Sequence, residues 1–305
     1  MQSLLEKQKI GLKEISNLEI KTQFHKIDVF VSFIMNNKTY GVIIEDKVHT
    51  INHSNQLERY KIKIKELNSA IILTPIYFKT GYQVNLASIK ENKYNYYTVK
   101  DLLKVLTQAK VSQVNNNVLT QYHSYILGKE KEFDKAEKDA NAYLTAPLGE
   151  WNWWTCARFF HEFKEYFTAG WGSVGNNREP LLALWCEGTT LIIKDVDTGS
   201  ELKFHLYLDV IYSGEGLKMN FRIGNLKAYP QSNNRNRNKL YKQFSRELNE
   251  NKVVHRKPNF RKSKSTLCLA QITEMDKTIK YLDLVKIIEH YKNIAHQFAK
   301  NYTDA

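Results

Sequence analysis

Cysteine is scarce in this chain of 305 residues, which contains Cys156, Cys186 and Cys268 and no other. The three are far apart, their number is odd and no C-x-x-C pair occurs. This pattern argues against a disulfide framework and against a zinc site built from cysteines. We expect each thiol to pack in a core, because an isolated cysteine behaves as a small hydrophobic residue. The sequence also contains no H-E-x-x-H motif, P-loop or zinc-finger spacing.

Long hydrophobic runs are also missing. No apolar stretch approaches the ~20 residues that a membrane-spanning helix requires. Residues 1–15 are charged and amphipathic, without the apolar region of a signal peptide. We therefore expect a cytoplasmic protein with no membrane partner. Hydrophobic residues make up 42% of the chain and aromatic residues 12%, enough for a packed core in two modest domains or one large one.

Acidic residues are outnumbered: 32 Asp and Glu stand against 45 Lys and Arg, which gives a net charge of +13. This excess suits a polyanionic partner such as nucleic acid. A lysine-rich, AT-biased genome would produce the same composition. The distribution of the charge is therefore more informative than its sum.

Basic residues concentrate in residues 233–265, which contain eleven Lys or Arg and two acids. Tyr241, Phe244 and Phe260 are interleaved with them, a composition typical of a phosphate-contacting surface. The alternative is a solvated amphipathic helix with a basic loop. The candidate nucleic-acid contacts in this segment are Arg235, Arg237, Lys239, Lys242, Arg256, Lys257, Arg261 and Lys262.

The first part of the chain predicts strands followed by a helix. Residues 1–16 carry an imperfect apolar stripe and predict a helix. Residues 18–34 alternate, with a break near His25 that indicates either a bulge or two strands joined by a tight bend. Asn36-Asn37-Lys38 predicts a hairpin turn, and the strand that returns from it, residues 39–47, is apolar on both faces at its centre, as in a covered strand.

A helix is predicted to begin at Gln56, with Ser54 or Asn55 as its N-cap. The segment SAIILTP then predicts a second buried strand, which Pro75 closes. Because a helix connects these two strands, we expect them to be parallel neighbours or near neighbours. Residues 76–98 predict a tyrosine-rich irregular or short-strand piece.

The rest of the chain predicts a change of architecture. Residues 98–128 predict one or two helices, and the charged segment 129–143 is either a solvated helix face or a linker. Beyond it, aromatic residues at helical spacing, a glycine-rich loop GWGSVGNN, alternating segments with short turns and a closing helix predict an α+β unit with an antiparallel sheet. We predict a core at 1–128, a charged connector at 129–143 and a C-terminal α+β domain at 144–305.

Asp28, Glu45 and Lys47 have the residue types of a metal-dependent phosphodiester hydrolase. Residues 45 and 47 are two apart on a strand, so their side chains project from one face, and that of Asp46 projects from the other. Carboxylates can bind Mg²⁺ and leave positions open for water and phosphate, and the backbone carbonyl of Asp46 could also reach the metal. A lysine beside the metal can stabilise transition-state charge. The alternative is an exposed salt-bridge cluster at a strand end.

The order of these motifs resembles the PD-(D/E)xK nuclease superfamily. The sequence has I-D-V-F at residues 27–30, I-I-E-D-K at 43–47, Q-L-E-R-Y at 56–60 and I-I-L-T-P at 71–75. The resemblance covers residues 18–128. It implies an α/β fold with a restriction-endonuclease-like core, in which helices flank a mixed central sheet.

The resemblance also implies roles for individual residues. Asp28 and Glu45 would be metal ligands, Lys47 the catalytic lysine, and Gln56 and Tyr60 supporting residues near the substrate backbone, with Arg59 beside them as a nucleic-acid contact. Two features depart from the pattern. Ile27 precedes the aspartate where proline is usual. The N-terminal acid of related proteins has no clear counterpart, and of Glu6 and Glu14 we take Glu6 as the candidate metal ligand.

The function implied is a Mg²⁺-dependent nuclease, with Mn²⁺ as a substitute, acting on DNA rather than RNA. Such nucleases often serve in defence against phage or in mobile elements. A homodimer is expected if both strands of a duplex are cut at two sites, and a partner protein is an alternative. Two other functions stay open: a non-catalytic nucleic-acid-binding or regulatory protein on the same fold, and an interaction module whose basic segment meets an acidic protein.

Overall fold

The computed structural model describes residues 15–47, 55–111, 117–174, 181–226, 234–259 and 266–302. The chain forms two compact units, Met1–Glu137 and Lys138–Ala305. In the described residues the first unit contains a mixed sheet of five strands and the second an antiparallel sheet of seven. The predicted α/β class with a second, antiparallel sheet is therefore confirmed. The division between the units falls within the predicted connector, 129–143.

The first sheet has the strand order β1-β2-β3-β4-β5. Strand β2 pairs antiparallel with β1 and with β3, and β4 pairs parallel with β3 and with β5. The predicted parallel pairing across the helix is thus confirmed. The strand bounds are β1 Ser16–Phe24, β2 Ile27–Met35, β3 Lys38–Lys47, β4 Ile72–Lys79 and β5 Asn95–Thr98.

Both hairpins in this sheet have two-residue turns with left-handed backbone. His25 and Lys26 have φ of 52° and 69°, and Phe24 pairs with Ile27 across them. The break near His25 is therefore a tight bend between two strands and not a bulge. Asn36 and Asn37 have φ of 49° and 56°. Asparagine tolerates this conformation, which matches the twist of the flanking strands, so the predicted turn is confirmed.

The first unit also contains helices. They are α1 Gln56–Leu67, α2 Ala87–Glu91, α3 Val99–Val111 and α4 Asn117–Asn141. The last of these continues into the second unit, so the charged segment is helical as far as Asn141. A helix was predicted for residues 1–16. Residues 1–14 lie outside the described residues, and at Ser16 the prediction is wrong because β1 begins there.

The prediction that Pro75 closes its strand is wrong, because β4 continues to Lys79. Strand β5 pairs with β4 only from Ile76 onward. At Pro75, β4 pairs with β3 on one side and has no paired strand among the described residues on the other. A proline is tolerated at such an unpaired strand edge, because it has no N–H to donate.

The sheet of the first unit is covered on both faces. Ile43 of β3 packs in one cluster with Leu57, Tyr60 and Ile64 of α1. Val42, its neighbour in sequence, packs in the cluster on the opposite face. This alternation fits the prediction of a covered central strand and explains why its middle residues are apolar.

The second unit is an antiparallel sheet with helices. Its strand order is β11-β12-β10-β9-β7-β6, and β8 also pairs with β9. Phe221 of β10 packs with Phe244, and Phe244 with Phe298, at ring-centroid distances of 4.9 and 4.7 Å. The elements are α5 Trp153–Phe163, β6 Gly170–Val174, β7 Leu181–Trp185, β8 Thr189–Lys194, β9 Glu201–Ser213, β10 Gly216–Gly224, α6 Asn234–Glu250, β11 His255–Arg256, β12 Leu267–Ile272 and α7 Tyr281–Asn301, with short 3-10 turns at Ala142–Leu144 and Leu148–Glu150.

The glycine-rich segment GWGSV is a strand, β6, and not the predicted loop. Gly170 pairs with Trp185 of β7. A Cβ built at Gly170 or Gly172 would come within 3.7 Å of the Trp185 ring. This is an ordinary van der Waals distance, so the Trp185 ring lies against the glycines without excluding a small side chain.

The three cysteines are free, with Cys156 and Cys186 buried and Cys268 partly buried. This agrees with the prediction that they pack in the core. Among the described residues, no helix is both long enough and apolar enough to cross a membrane.

Candidate active site

The predicted site residues meet at one end of the first sheet. Val29 pairs with Ile44, so Asp28 and Glu45 occupy the adjoining positions at the start of β2 and the end of β3. Antiparallel pairing of β2 with β3 is what brings residues so far apart in sequence to the same edge.

Asp28 is fixed by two hydrogen bonds. Its Oδ2 accepts from the backbone N–H of Asp46 at 2.9 Å, and its Oδ1 accepts from Nε2 of Gln23 at 3.3 Å. Gln23 was not predicted as a site residue, because its contact with Asp28 depends on the β1–β2 pairing. Asp28 thereby holds the backbone at Asp46, whose carbonyl is a candidate metal ligand.

Glu45 is a buried carboxylate with one oxygen paired and the other not. Its side chain is 0% exposed, and its Oε1 accepts from Nε2 of Gln56 at 2.8 Å and forms an ion pair with the ammonium of Lys47. No described group donates to Oε2, which is buried as well. Burial raises the pKa of Glu45 against the opposing effect of Lys47, and the negative charge of Asp28 raises it further. A buried, unpaired carboxylate oxygen is costly unless a cation or donor satisfies it.

Gln56 and Tyr60 tie helix α1 to this edge. Nε2 of Gln56 donates to Glu45 and also to the Tyr60 hydroxyl, at 2.6 Å. The hydroxyl in turn donates to the carbonyl of Lys26 at 2.6 Å. Because Gln56 and Tyr60 are four residues apart, they lie on one side of the first helical turns. Arg59 lies between them in sequence and is exposed.

The start of α1 differs in detail from the prediction. Asn55 occupies the N-cap position with a left-handed backbone, but its side chain makes no capping hydrogen bond. Ser54, the other predicted cap, lies outside the described residues. The helix is held instead by the contacts of Gln56 and Tyr60.

Lys79 is a member of the site that the sequence did not predict. It ends β4, pairs in register with Lys47 and is 2% exposed. Burial lowers the pKa of Lys79 to about 8, against the opposing charge of Asp46. Because the predicted strand ended at Pro75, Lys79 was not assigned to β4. The parallel register of β3 and β4, which pairs Lys47 with Lys79, would have located it.

Several predicted residues cannot be placed in this site. Glu6, the candidate N-terminal ligand, and Arg261 and Lys262 of the basic segment lie outside the described residues. Within the part of the chain that the structure describes, no group of three or more His, Cys, Asp or Glu side chains is arranged to hold a metal ion. The carboxylates that the structure does bring together are those of Asp28 and Glu45.

The basic segment is mostly helix α6, which has an exposed and a buried side. Arg235 and Lys242 are exposed and Lys239 is partly buried. Arg237, a predicted nucleic-acid contact, is only 9% exposed. It lies on the buried face of the helix together with Leu240 and Phe244, because these positions recur at helical spacing.

The cations that follow α6 are exposed, and each contacts a neighbouring side chain. Nε of Arg256 donates to Oε1 of Gln271 at 2.8 Å. Lys257 donates to Asn238 and lies 5.5 Å from the ring centroid of Tyr241. These contacts hold both side chains at the surface of the second unit.

No model of a known protein family, no curated protein and no solved structure matches the chain. A function can therefore be assigned only from the chemistry of the site and the motifs that form it.

Proposed function

We propose that the chain is a Mg²⁺-dependent nuclease that hydrolyses phosphodiester bonds on a restriction-endonuclease-like core. The observation that carries this proposal is Glu45, a buried carboxylate with an unpaired oxygen that lies beside Asp28 and shares a strand face with Lys47. Two acids and a lysine at one sheet edge match the PD-(D/E)xK pattern. A preference for DNA over RNA, and a role in defence against phage or in mobile elements, follow only from that resemblance.

The donor set suits a hard cation. Asp28, Glu45 and the backbone carbonyl of Asp46 would supply oxygen ligands, which Mg²⁺ prefers and Mn²⁺ also accepts. When bound, the ion lowers the pKa of a water molecule and polarises the phosphate. The hydrogen bond from the Asp46 N–H to Asp28 keeps this part of the backbone in place.

Lys47 provides a positive charge at the candidate site in addition to that of the metal ion. In the free protein its ammonium is paired with Oε1 of Glu45. With substrate present, the same ammonium would orient the attacking water and offset the negative charge that grows on the phosphorane during in-line attack. Its placement two residues after Glu45 keeps both groups on one strand face.

Gln56 and Tyr60 act as positioning residues. The Gln56 amide holds one oxygen of Glu45 and the Tyr60 hydroxyl at once. This arrangement leaves Oε2 of Glu45 as the oxygen available to a cation. A fixed carboxylate loses little conformational freedom when it binds the metal, which favours binding.

The test is cleavage of plasmid and single-stranded DNA with Mg²⁺ or Mn²⁺. We expect Glu45→Ala and Lys47→Ala each to lower the rate by about a hundredfold or more, because each removes a group that acts in the transition state. EDTA should stop cleavage by the native protein. Lys63 and Glu66 form an exposed ion pair on α1 at 3.1 Å, so Lys63→Ala and Glu66→Ala are matched controls and should cut normally. If both Glu45→Ala and Lys47→Ala still cut DNA in a metal-dependent manner, the assignment of the active site is wrong.

A second candidate function is nucleic-acid binding without cleavage. The exposed cations of α6 and β11 favour it, because they do not depend on the carboxylates of the first sheet. Tight, salt-sensitive binding with no cutting of any nucleic acid would support this second function over the first.

A further inference from the structure

Helix α4 presents two exposed tyrosines one turn apart. Tyr122 is 44% exposed and Tyr125 is 54% exposed. Their rings are stacked, with centroids 6.4 Å apart and planes inclined by 21°. The ammonium of Lys129 lies 5.7 Å from the Tyr125 ring centroid. The helix therefore offers an exposed aromatic surface, and the cation at its side is ion-paired with Glu132 at 2.8 Å.

Contacts through α3 connect helix α4, which carries the tyrosine pair, with one face of β3. Ile44 of β3 and Val105 of α3 line one cavity. Two residues beyond Val105, the Thr107 hydroxyl is 3.2 Å from Nε2 of His123, the neighbour of Tyr122. Ile44 and Asp46 project from the same face of β3. The chain of contacts thus leads from the Asp46 face of the strand to the beginning of α4.

We propose that Tyr122 and Tyr125 form a stacking platform for unpaired nucleobases on the first unit. The proposal rests on the proposed nuclease function and adds to it the substrate class, single-stranded or frayed nucleic acid. Every base has a flat face that can stack on an exposed aromatic ring. The bases of an intact duplex already stack on each other, so they cannot use the platform unless the ends open.

The test measures binding without divalent metal, so that no cleavage interferes. A fluorescent oligothymidylate and an abasic oligomer of the same length are titrated into the full chain. We expect Tyr122→Ala and Tyr125→Ala to weaken binding of oligothymidylate by about 5- to 150-fold, from about 1–3 kcal/mol per stacked base. Binding of the abasic oligomer should not change. Tyr122→Phe and Tyr125→Phe should bind like the native protein, because the ring face is kept.

Tyr166→Ala is the matched control, since Tyr166 is an exposed tyrosine of the second unit whose hydroxyl contacts Glu289. It should leave both affinities unchanged, and circular dichroism should show the helix content of each variant intact. Equal losses on oligothymidylate and on the abasic oligomer would overturn the platform.

Cleavage by the native protein, assayed in parallel, separates this proposal from the proposed function. If the native protein cuts DNA and the alanine variants bind oligothymidylate normally, the platform is wrong and the nuclease stands. If the tyrosines support binding and nothing is cut, the platform stands and the nuclease is wrong. If the native protein neither binds nor cuts, both are overturned.

Discussion

At the scale of single residues, the side-chain amide of Gln56 joins three segments of the first unit. It donates to Glu45 on β3 and to Tyr60 on α1, and Tyr60 donates to Lys26 in the turn before Asp28. Each of these bonds contributes about 1 kcal/mol net. Their larger effect is on placement, because they fix the carboxylate relative to both strands.

Tyr60→Phe tests this network. The substitution keeps the ring, but it leaves the Lys26 carbonyl and one Gln56 proton without their partner. We expect the free energy of unfolding to fall by about 1–2 kcal/mol, measured by urea denaturation followed by circular dichroism. Tyr40→Phe is the control, because it keeps the ring stacked on Phe33 and removes a hydroxyl that no described hydrogen bond uses. Equal effects of the two substitutions would contradict the network.

Lys79 gives a prediction about pH. Its folded-state pKa of about 8 lies below the value of about 10.4 in an unfolded chain. Between these values the unfolded state binds the proton and the folded state does not, so the free energy of unfolding rises with pH from 8 to 10.4, by as much as about 3 kcal/mol. Lys79→Met should lack this rise. The measurement is the difference in unfolding free energy between native protein and variant at pH 7.5 and pH 10, and a constant difference would refute the prediction.

At the scale of elements, two glycines differ in how much space a side chain would have. Gly188 precedes β8, and a Cβ there would lie 2.6 Å from the backbone oxygen of Leu206 and 2.8 Å from Cβ of Tyr207. Gly128 lies in the middle of α4 with nothing within 4 Å of the position a Cβ would take. The first needs glycine for space, and the second gains nothing from it.

Alanine substitutions at these glycines should therefore differ in sign. Gly188→Ala must displace the backbone of β9 and should destabilise the second unit by about 1–3 kcal/mol. Gly128→Ala should stabilise the helix by about 1 kcal/mol, because alanine has the higher helix propensity. All five tryptophans lie between residues 151 and 185, so tryptophan fluorescence follows the second unit and circular dichroism follows the whole chain. Destabilisation by both substitutions would show that α4 depends on glycine for another reason.

At the scale of the whole molecule, the net charge of +13 is divided between two units. The first unit carries the candidate site, and the second carries α6 with its exposed cations. Because Arg237 is buried and Arg235 is paired with Asp197 at 3.1 Å, the basic surface of the second unit is smaller than the sequence implies. Lys242 on α6 and Arg256 on β11 are among its exposed cations.

The double substitution Lys242→Ala with Arg256→Ala should lower the affinity for nucleic acid. It should also make that affinity less dependent on salt concentration. Each lost phosphate contact lowers the slope of log affinity against log salt by about 0.7–0.9. Lys286→Ala, which removes an exposed lysine of the same unit paired with Asp283, is the control. A weaker affinity with an unchanged salt slope would argue against phosphate contact at these positions. The measurement is an anisotropy titration at several salt concentrations.

Much of the first sheet could be predicted from the sequence, because its signals are local. Alternation gave the strands, and Asn36-Asn37 gave the second hairpin turn. The errors have physical causes as well. Pro75 predicts the end of a strand, because the free edge beside it is not visible in the sequence. The glycines of β6 predict a loop, because their pairing with β7 depends on a strand that follows later in the chain.

The sequence by itself determined which residues share a strand face and where the chain turns, since those properties depend on neighbours a few positions away. It thereby put Glu45 and Lys47 on one side of β3. Only the tertiary structure decided that Glu45 is buried with one oxygen unpaired, that Lys79 lies beside Lys47, and that Arg237 faces inward. These depend on the burial of polar groups and on the exact strand register between segments far apart in sequence, which local patterns do not determine.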